Sequence, residues 1–163
     1  MADYVVRHAP CDLMLLKLVN KPQFKTCLFP TAGGPHARLA ALFLKELAVQ
    51  LKMTVTAAYV VPENATPQMR SNGERWIENT LRTVDSDINF EKQIIEANSV
   101  AGGLAMSSRN FDLVVIGAAK EPLFRRILFG EIPEKVARYS PTSVLLVKRY
   151  EGVVKSMLKK VLG

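Results

Sequence analysis

Residues 112–131 read DLVVIGAAKEPLFRRILFGE, and this stretch decides the fold. Its first six residues form an apolar run that ends in glycine, which is typical of a strand buried on both faces of a parallel sheet. A second glycine follows thirteen positions later, and the loop between Gly117 and Gly130 carries three basic residues. Such a loop, lying between a strand and the start of a helix, has the frame of a phosphate-binding loop.

Strand-like and helix-like segments alternate on both sides of this stretch. Strands are predicted at 25–31, 53–61, 88–95, 112–117 and 143–148, with the third toward one side of the sheet, and helices at 35–51, 67–84, 99–109 and 133–139. Trp76 is expected in the core. The alternation predicts an open, doubly wound, mostly parallel five-stranded α/β sheet with helices on both faces, a Rossmann-like fold. Its ligands are expected at the carboxyl ends of the strands.

The N-terminus repeats a later part of the chain. Residues 3–17 match residues 134–148 at a constant offset of 131, with five identities. We therefore interpret residues 1–22 as the trailing helix and strand of a preceding tandem copy, which adds an extra N-terminal strand. Asp12–Lys17 should pair with Ser143–Lys148, within the chain or across a homodimer. A domain at 23–152 and a basic amphipathic tail helix at 153–163 complete the chain, and the tail could dock on its own domain, a partner or an anionic membrane.

Composition narrows the function classes. The chain is 48% apolar and 23% charged, as in an ordinary globular domain. Residues 117–163 hold ten basic and four acidic residues, which favours an anionic ligand. The basic third lacks interleaved aromatics, so nucleic acid is not expected. Cys11 and Cys27 have no metal-ligand spacing, and a reduced cytoplasmic setting is predicted. With no P-loop, no GxGxxG and no catalytic triad pattern, we expect a non-enzyme without metal.

Four motifs together resemble the universal stress protein family over residues 24–152. They are FPTAGG after the first strand, DLVVIG, the glycine thirteen positions later, and the closing SPTSVLLVK. Nucleotide-binding members of that family carry Gly, two residues, Gly, nine residues, Gly, then Ser or Thr, and Gly117 and Gly130 keep this spacing. The resemblance also implies dimerisation through the last strand, paired antiparallel with its equivalent.

The resemblance implies candidate adenine-nucleotide contacts, and three positions depart from the family pattern. The candidates are Pro30, Thr31, Gly33, Val60, Gly117, Lys120, Arg125, Arg126, Gly130 and Ile132. Ala32 stands in place of an aspartate that meets the nucleoside. Lys120 replaces the middle glycine, losing its backbone freedom but adding a cation. Glu131 replaces the hydroxyl residue, and its carboxylate could accept the helix N-terminal N–H bonds that a phosphate would use.

Two neighbouring features leave alternatives open. Arg125 and Arg126 either clamp a phosphate or belong to a solvated loop. His36 could lend a donor to an anion, but a surface or capping position is expected for it.

These features favour a non-catalytic regulatory or assembly module with a degenerate nucleotide loop. The alternative is a functional stress-response protein that binds ATP, AMP or another adenine nucleotide. GGPHA and PLFRRILFG are similar to family domains fused to amino acid permease-type transporters. That similarity implies a membrane transporter in the same polypeptide and a cytoplasmic location, on the cytosolic face of a membrane protein.

Overall fold

The sheet is built from apolar runs that the sequence places at regular intervals. The structure, a computed structural model, describes residues 2–19, 23–84, 90–119, 129–150 and 152. Its strands are β1 (Leu13–Lys17), β2 (Thr26–Pro30), β3 (Thr54–Val61), β4 (Glu91–Glu96), β5 (Leu113–Gly117) and β6 (Ser143–Lys148). Its α-helices are α1 (Ala2–His8), α2 (Pro35–Leu51), α3 (Pro67–Leu81), α4 (Val100–Ser107) and α5 (Glu131–Tyr139). The predicted tail helix lies outside the described residues.

The described strands form one six-stranded sheet in the order β1-β6-β5-β2-β3-β4. Strands β2 to β6 run parallel, and β1 pairs antiparallel with β6 inside the chain. This confirms the predicted mostly parallel α/β sheet with an added N-terminal strand, although that strand begins at Leu13 rather than Asp12. The order reverses between β2 and β5, which is where open α/β sheets bind their ligands.

Helix starts follow local capping chemistry. Thr66 and Ser99 precede α3 and α4, and their hydroxyl oxygens accept the N–H of Met69 at 3.3 Å and of Gly102 at 3.2 Å. Side-chain caps of this kind satisfy N–H groups that a helix leaves unpaired in its first turn. Helix α2 instead begins with Pro35, whose missing N–H would have had no partner there.

Two apolar layers, one on each face of the sheet, hold the helices in place. On one face α2 and α3 pack onto the sheet through Leu44 and Ile77, and on the other α4 and α5 pack through Leu104 and Val136. All four side chains are at most 1% exposed, and burying one such side chain stabilises the fold by about 1.5–3 kcal/mol. The carboxyl ends of β2, β3 and β5 are left uncovered between the two helix layers.

Within the described part of the chain, no helix has the length and apolar character needed to cross a membrane.

Candidate functional site

A cavity of about 490 Å³ opens at the carboxyl ends of β2, β3 and β5. Volumes of this size are typical of small-ligand sites. The lining comes from the β2–α2 loop and the start of α2, the end of β3, one side chain of α3, the residues at and after the end of β5, and the N-terminal halves of α4 and α5. Six of the ten predicted contacts lie in that lining: Pro30, Thr31, Gly33, Val60, Gly117 and Ile132. Gly130 lies just before α5, and Lys120, Arg125 and Arg126 fall outside the described residues.

Thr31 fixes the shape of the first loop. Its N–H donates to Ala58 O at 2.9 Å, which continues the sheet one residue past β2. Its hydroxyl accepts the Gly33 N–H at 3.1 Å and lies 2.9 Å from the Thr80 hydroxyl, which donates to Trp76 O. The Thr31 proton therefore goes to Thr80. This buried hydroxyl holds the loop against α3, and the next residue, Ala32, has only a methyl group to offer a ligand.

Trp76 lies at the cavity, and the expectation of a core tryptophan is wrong. Its side chain is 46% exposed, while its neighbour Ile77 is fully buried. Consecutive helical residues point about 100° apart, so only one of the two can face the sheet. The indole ring instead lies against the β2–α2 loop, where a Cβ added to Gly33 would come within 3.1 Å of it. With Tyr59, it gives the cavity an aromatic wall.

His36 is buried, contrary to the surface or capping position expected for it. It is 7% exposed, and its Nδ1 accepts the backbone N–H of Arg149 at 2.9 Å. An accepting Nδ1 leaves the proton of the neutral ring on Nε2. The contact joins the first turn of α2 to the segment after β6, so His36 fixes one wall of the cavity.

The two glycines of the second loop have different structural roles. A Cβ on Gly117 would lie 2.7 Å from the Ala37 backbone nitrogen, because β5 ends against the start of α2. Gly130 precedes α5 with φ 101°, a conformation that residues with a Cβ rarely adopt. Between the glycines, the Ala119 N–H donates to Phe129 O at 2.7 Å. This hydrogen bond brings together the two ends of the loop that carries the three predicted basic contacts.

The first turn of α5 shows how Glu131 is held. Its carboxylate accepts a hydrogen bond from Lys135 Nζ at 2.6 Å, one turn along the helix. That hydrogen bond and the attraction between the charges lower the pKa of the Glu131 carboxyl and raise the pKa of the Lys135 ammonium. Glu134 accepts the Phe129 N–H at 3.1 Å. Glu131 is thus paired with a lysine rather than with the helix N-terminal N–H groups, while Ile132 and Pro133 of the same turn line the cavity.

The described lining contains no Asp, Glu, Lys or Arg. It presents aromatic and aliphatic side chains together with backbone groups, a combination that suits an uncharged, planar group such as a nucleobase. The described lining also lacks a hydrogen-bonded nucleophile, base and acid. No cluster of three metal-ligating side chains occurs among the described residues. Cys27 lies at the other end of β2, and burial raises the pKa of its thiol, which keeps it protonated.

Sequence reasoning missed the aromatic wall and the wall formed by α4. Val100 and Leu104 of α4, together with Tyr59 and Trp76, line the cavity. Their apolar side chains could not be distinguished from core residues in the sequence. One signal was available for Tyr59, since it lies next to Val60 at the carboxyl end of a predicted strand.

A parallel α/β sheet with a glycine-framed loop and a cavity at its point of strand reversal defines a class of nucleotide-binding-type folds. The universal stress protein family model matches residues 23–148, and the chain belongs to that family.

One curated relative is the Na⁺/H⁺ antiporter NhaS5 of Synechocystis sp., which is 26% identical over 146 residues. The alignment covers 88% of this chain but only 21% of the antiporter, so the chain spans about a fifth of that relative's length.

Three solved structures share the fold at low identity. A universal stress protein in complex with cAMP is 19% identical, with a TM-score of 0.57 over 76% of this chain and 97% of its own. The Archaeoglobus fulgidus protein in complex with dAMP is 12% identical, with a TM-score of 0.60 over 77% and 98%. A longer protein from Archaeoglobus fulgidus DSM 4304 is 15% identical, with a TM-score of 0.59 over 92% of this chain and 54% of its own.

Proposed function

We propose that this domain is a non-catalytic regulatory or assembly module with a degenerate nucleotide loop, which binds nucleotide weakly or not at all. One observation carries the proposal: a formed cavity of about 490 Å³ keeps the family's loop frame, yet its described lining holds no charged side chain. A nucleotide carries its charge on phosphate, and phosphate binding depends on cations and free N–H groups. The base and sugar therefore have a site, whereas the phosphates have few partners in the described lining.

The three departures from the family pattern agree with weakened binding. Ala32 offers a methyl group where an aspartate would meet the nucleoside. A lysine at position 120 restricts the backbone, and Glu131 places a carboxylate in the first turn of α5, where an anion would gain most from the helix dipole. Lys135 neutralises that carboxylate in part, but a phosphate would still have to approach it.

The second candidate function is adenine-nucleotide binding at useful affinity. It is favoured by the six predicted contacts that meet at one cavity and by relatives solved with cAMP and dAMP. In this hypothesis Lys120, Arg125 and Arg126 replace the missing loop contacts. The Ala119–Phe129 hydrogen bond joins the two ends of the loop to which these three cations belong.

A titration separates the two functions, and the chain supplies its own probe. Trp76 is the single tryptophan and lines the cavity, so its emission should respond to a bound base. ATP, ADP, AMP and cAMP would be added to the parent chain and to the variant Lys120→Gly/Glu131→Ser, with calorimetry as a second readout. Glu74→Ser, on the exposed surface of α3, is the control for loss of one acidic charge.

We expect weak or undetectable binding by the parent and a gain of about tenfold or more in the double variant, equivalent to about 1.4 kcal/mol. The control should behave like the parent. Tight binding by the parent would support the second function. A double variant that binds no better than the parent would contradict the role assigned to Lys120 and Glu131.

We further propose that the domain works on the cytosolic face of a larger, transporter-associated protein. Support comes from the alignment with the Na⁺/H⁺ antiporter and from the similarity of two loop motifs to transporter-fused domains. A regulatory domain of this kind would act by transmitting ligand or partner binding to the transporter, which requires a coupling free energy between the two sites.

A further inference from the structure

The aromatic wall of the cavity is fixed in place by two glycines. The Trp76 ring lies against Gly33, where an added Cβ would come within 3.1 Å of it. The Tyr59 ring lies against Gly73 of α3, where a Cβ would be 2.8 Å from the Tyr59 Cδ1. Glycine inside a helix lowers helix stability relative to alanine, and here its missing Cβ makes room for the Tyr59 ring. Both rings are therefore positioned by the fold itself, before any ligand binds.

Trp76 offers a flat apolar surface to a ligand. Its side chain is 46% exposed although it lines the cavity, so part of the indole faces the empty volume. Aromatic rings prefer offset or edge-to-face contacts with other planar rings, and nucleic acid bases stack on them whatever their sequence. The lining beside the indole is aliphatic and includes Val60, Val100 and Leu104. A planar heteroaromatic ring would therefore gain both stacking and burial at this wall.

At the two described ends of the second loop, backbone N–H groups are already used within the protein. The Ala118 N–H donates to Val147 O at 2.8 Å, and the Ala119 N–H donates to Phe129 O at 2.7 Å. The Phe129 N–H donates to Glu134 Oε1 at 3.1 Å. A phosphate-binding loop works by directing several backbone N–H groups at the anion. In the described part of this loop, these three donors are engaged by the fold instead.

The first turn of α5 is also a poor partner for an anion. Pro133 has no N–H, so this turn lacks one of the donors that a helix normally leaves unpaired at its start. The carboxylates of Glu131 and Glu134 belong to the same turn, where the helix dipole favours negative charge. A phosphate would have to approach these carboxylates. An uncharged ligand would meet only Ile132 and Pro133, the two residues of this turn that line the cavity.

We infer that the cavity selects an unphosphorylated nucleoside over the corresponding nucleotide. This inference rests on the proposed function, since it assumes a loop that binds phosphate weakly, and it goes further by naming the class of ligand and the residue on which the base stacks. The base would stack on the Trp76 indole, and no group would have to pair with a phosphate. A cavity of about 490 Å³ suits a drug-sized ligand, and a base with its sugar matches that size better than a free base does.

Titration calorimetry on the full chain tests the order of affinities. The probes are adenosine, guanosine, cytidine and uridine, each paired with its 5′-monophosphate, so that the two members of a pair differ only in the phosphate. We expect at least one nucleoside to bind with a Kd about tenfold or more below that of its monophosphate. The emission of Trp76, the single tryptophan, should change in the same titration, because the base stacks on its ring.

Substitutions at two positions separate the effect of the ring from the effect of charge. Trp76→Leu should weaken nucleoside binding about tenfold, and Trp76→Phe should restore most of it because an aromatic face remains. Tyr139→Leu removes an exposed aromatic ring of α5 that lies outside the lining, and it is the matched control. Glu131→Gln should strengthen monophosphate binding about threefold and leave nucleoside binding unchanged. Glu46→Gln, on the exposed surface of α2, controls for the loss of one carboxylate.

The outcomes distinguish this inference from the proposed function. If neither the nucleosides nor the monophosphates bind, or if the two bind equally weakly in every pair, the inference is overturned while the degenerate nucleotide loop is still supported. Tight binding of the monophosphates would overturn both. Nucleoside binding that is unchanged in Trp76→Leu, with circular dichroism showing that the variant is folded, would also overturn the inference, because the ligand would then lie away from the aromatic wall.

Discussion

At the scale of single residues, the first glycine of the second loop, Gly117, is needed because β5 ends very close to α2. Gly117 meets the first turn of α2 so tightly that an added Cβ would lie 2.7 Å from Ala37 N and 2.8 Å from His36 C. Both atoms belong to the backbone, which cannot move aside as a flexible side chain can. The glycine is therefore required for packing at this position, whatever the loop binds.

Gly117→Ala should therefore lower the free energy of unfolding by about 1–3 kcal/mol, the usual range for overpacking. Urea unfolding followed by circular dichroism measures the change. Gly152→Ala is the matched control, because its nearest atom would be 4.0 Å away, and a change within about 0.5 kcal/mol is expected there. Equal effects of the two substitutions would show that the close approach does not limit packing.

Trp76 and His36 show where residue-level prediction fails. A tryptophan beside a buried isoleucine can belong either to the core or to a neighbouring cavity, and the packing of the β2–α2 loop decides between the two. His36 becomes buried because the chain after β6 returns to the start of α2, a contact between residues 113 positions apart. Local sequence does not contain that information.

At the scale of elements, β2 and β5 are joined at the end of the sheet opposite the cavity. The Asp112 carboxylate accepts the N–H of Lys25 and of Thr26, both at 2.9 Å, and the Thr26 hydroxyl at 3.1 Å. Burial alone would raise the pKa of the Asp112 carboxyl, but these hydrogen bonds outweigh it and hold the pKa below its ordinary value of 3.8. One side chain thus anchors the start of both central strands.

A depressed folded-state pKa fixes the direction of the pH dependence. The ionised Asp112 carboxylate contributes fully to stability above the ordinary pKa of an aspartate. That contribution is lost as the pH falls through the lower pKa that the group has in the folded state. Asp112→Asn is neutral at every pH, so the fall in urea midpoint between about pH 6 and about pH 3 should be smaller in this variant than in the parent. Glu46→Gln, on the exposed surface of α2, is the control. A parent and variant with parallel profiles would contradict this role of Asp112.

At the scale of the whole molecule, the order of strands and helices could be predicted because each element has a strong local signal. The run from Leu113 to Ile116 is apolar throughout because both faces of β5 are covered, and glycine or proline residues mark the turns. The pairing of β1 with β6 was also predictable, because the repeat at offset 131 identifies β1 as the equivalent of β6. The cavity was predicted in part, since glycine motifs mark loops whereas the residues of α3 and α4 reach the cavity only through packing.

The two edges of the sheet differ in polarity. Strand β4 closes one side with the polar residues Glu91, Lys92 and Gln93, which is how exposed edges are usually protected. At the other edge, β1 leaves Met14, Leu15 and Leu16 between 41% and 46% exposed. Apolar edge strands are normally covered, and the transporter-associated protein proposed above would offer a surface that could cover this one.

The proposed association with a transporter predicts that a membrane transporter is encoded in the same reading frame or next to it, and the antiporter relative makes a cation/proton antiporter the first one to test. In everted vesicles carrying that antiporter, removal of residues 23–150 should shift the Na⁺ concentration for half-maximal proton exchange by about twofold or more, the scale of a modest coupling free energy. Antiporter content would be matched by immunoblot, and Glu74→Ser in the intact domain serves as the control. Exchange that is unchanged at equal antiporter content would contradict a regulatory role for the domain.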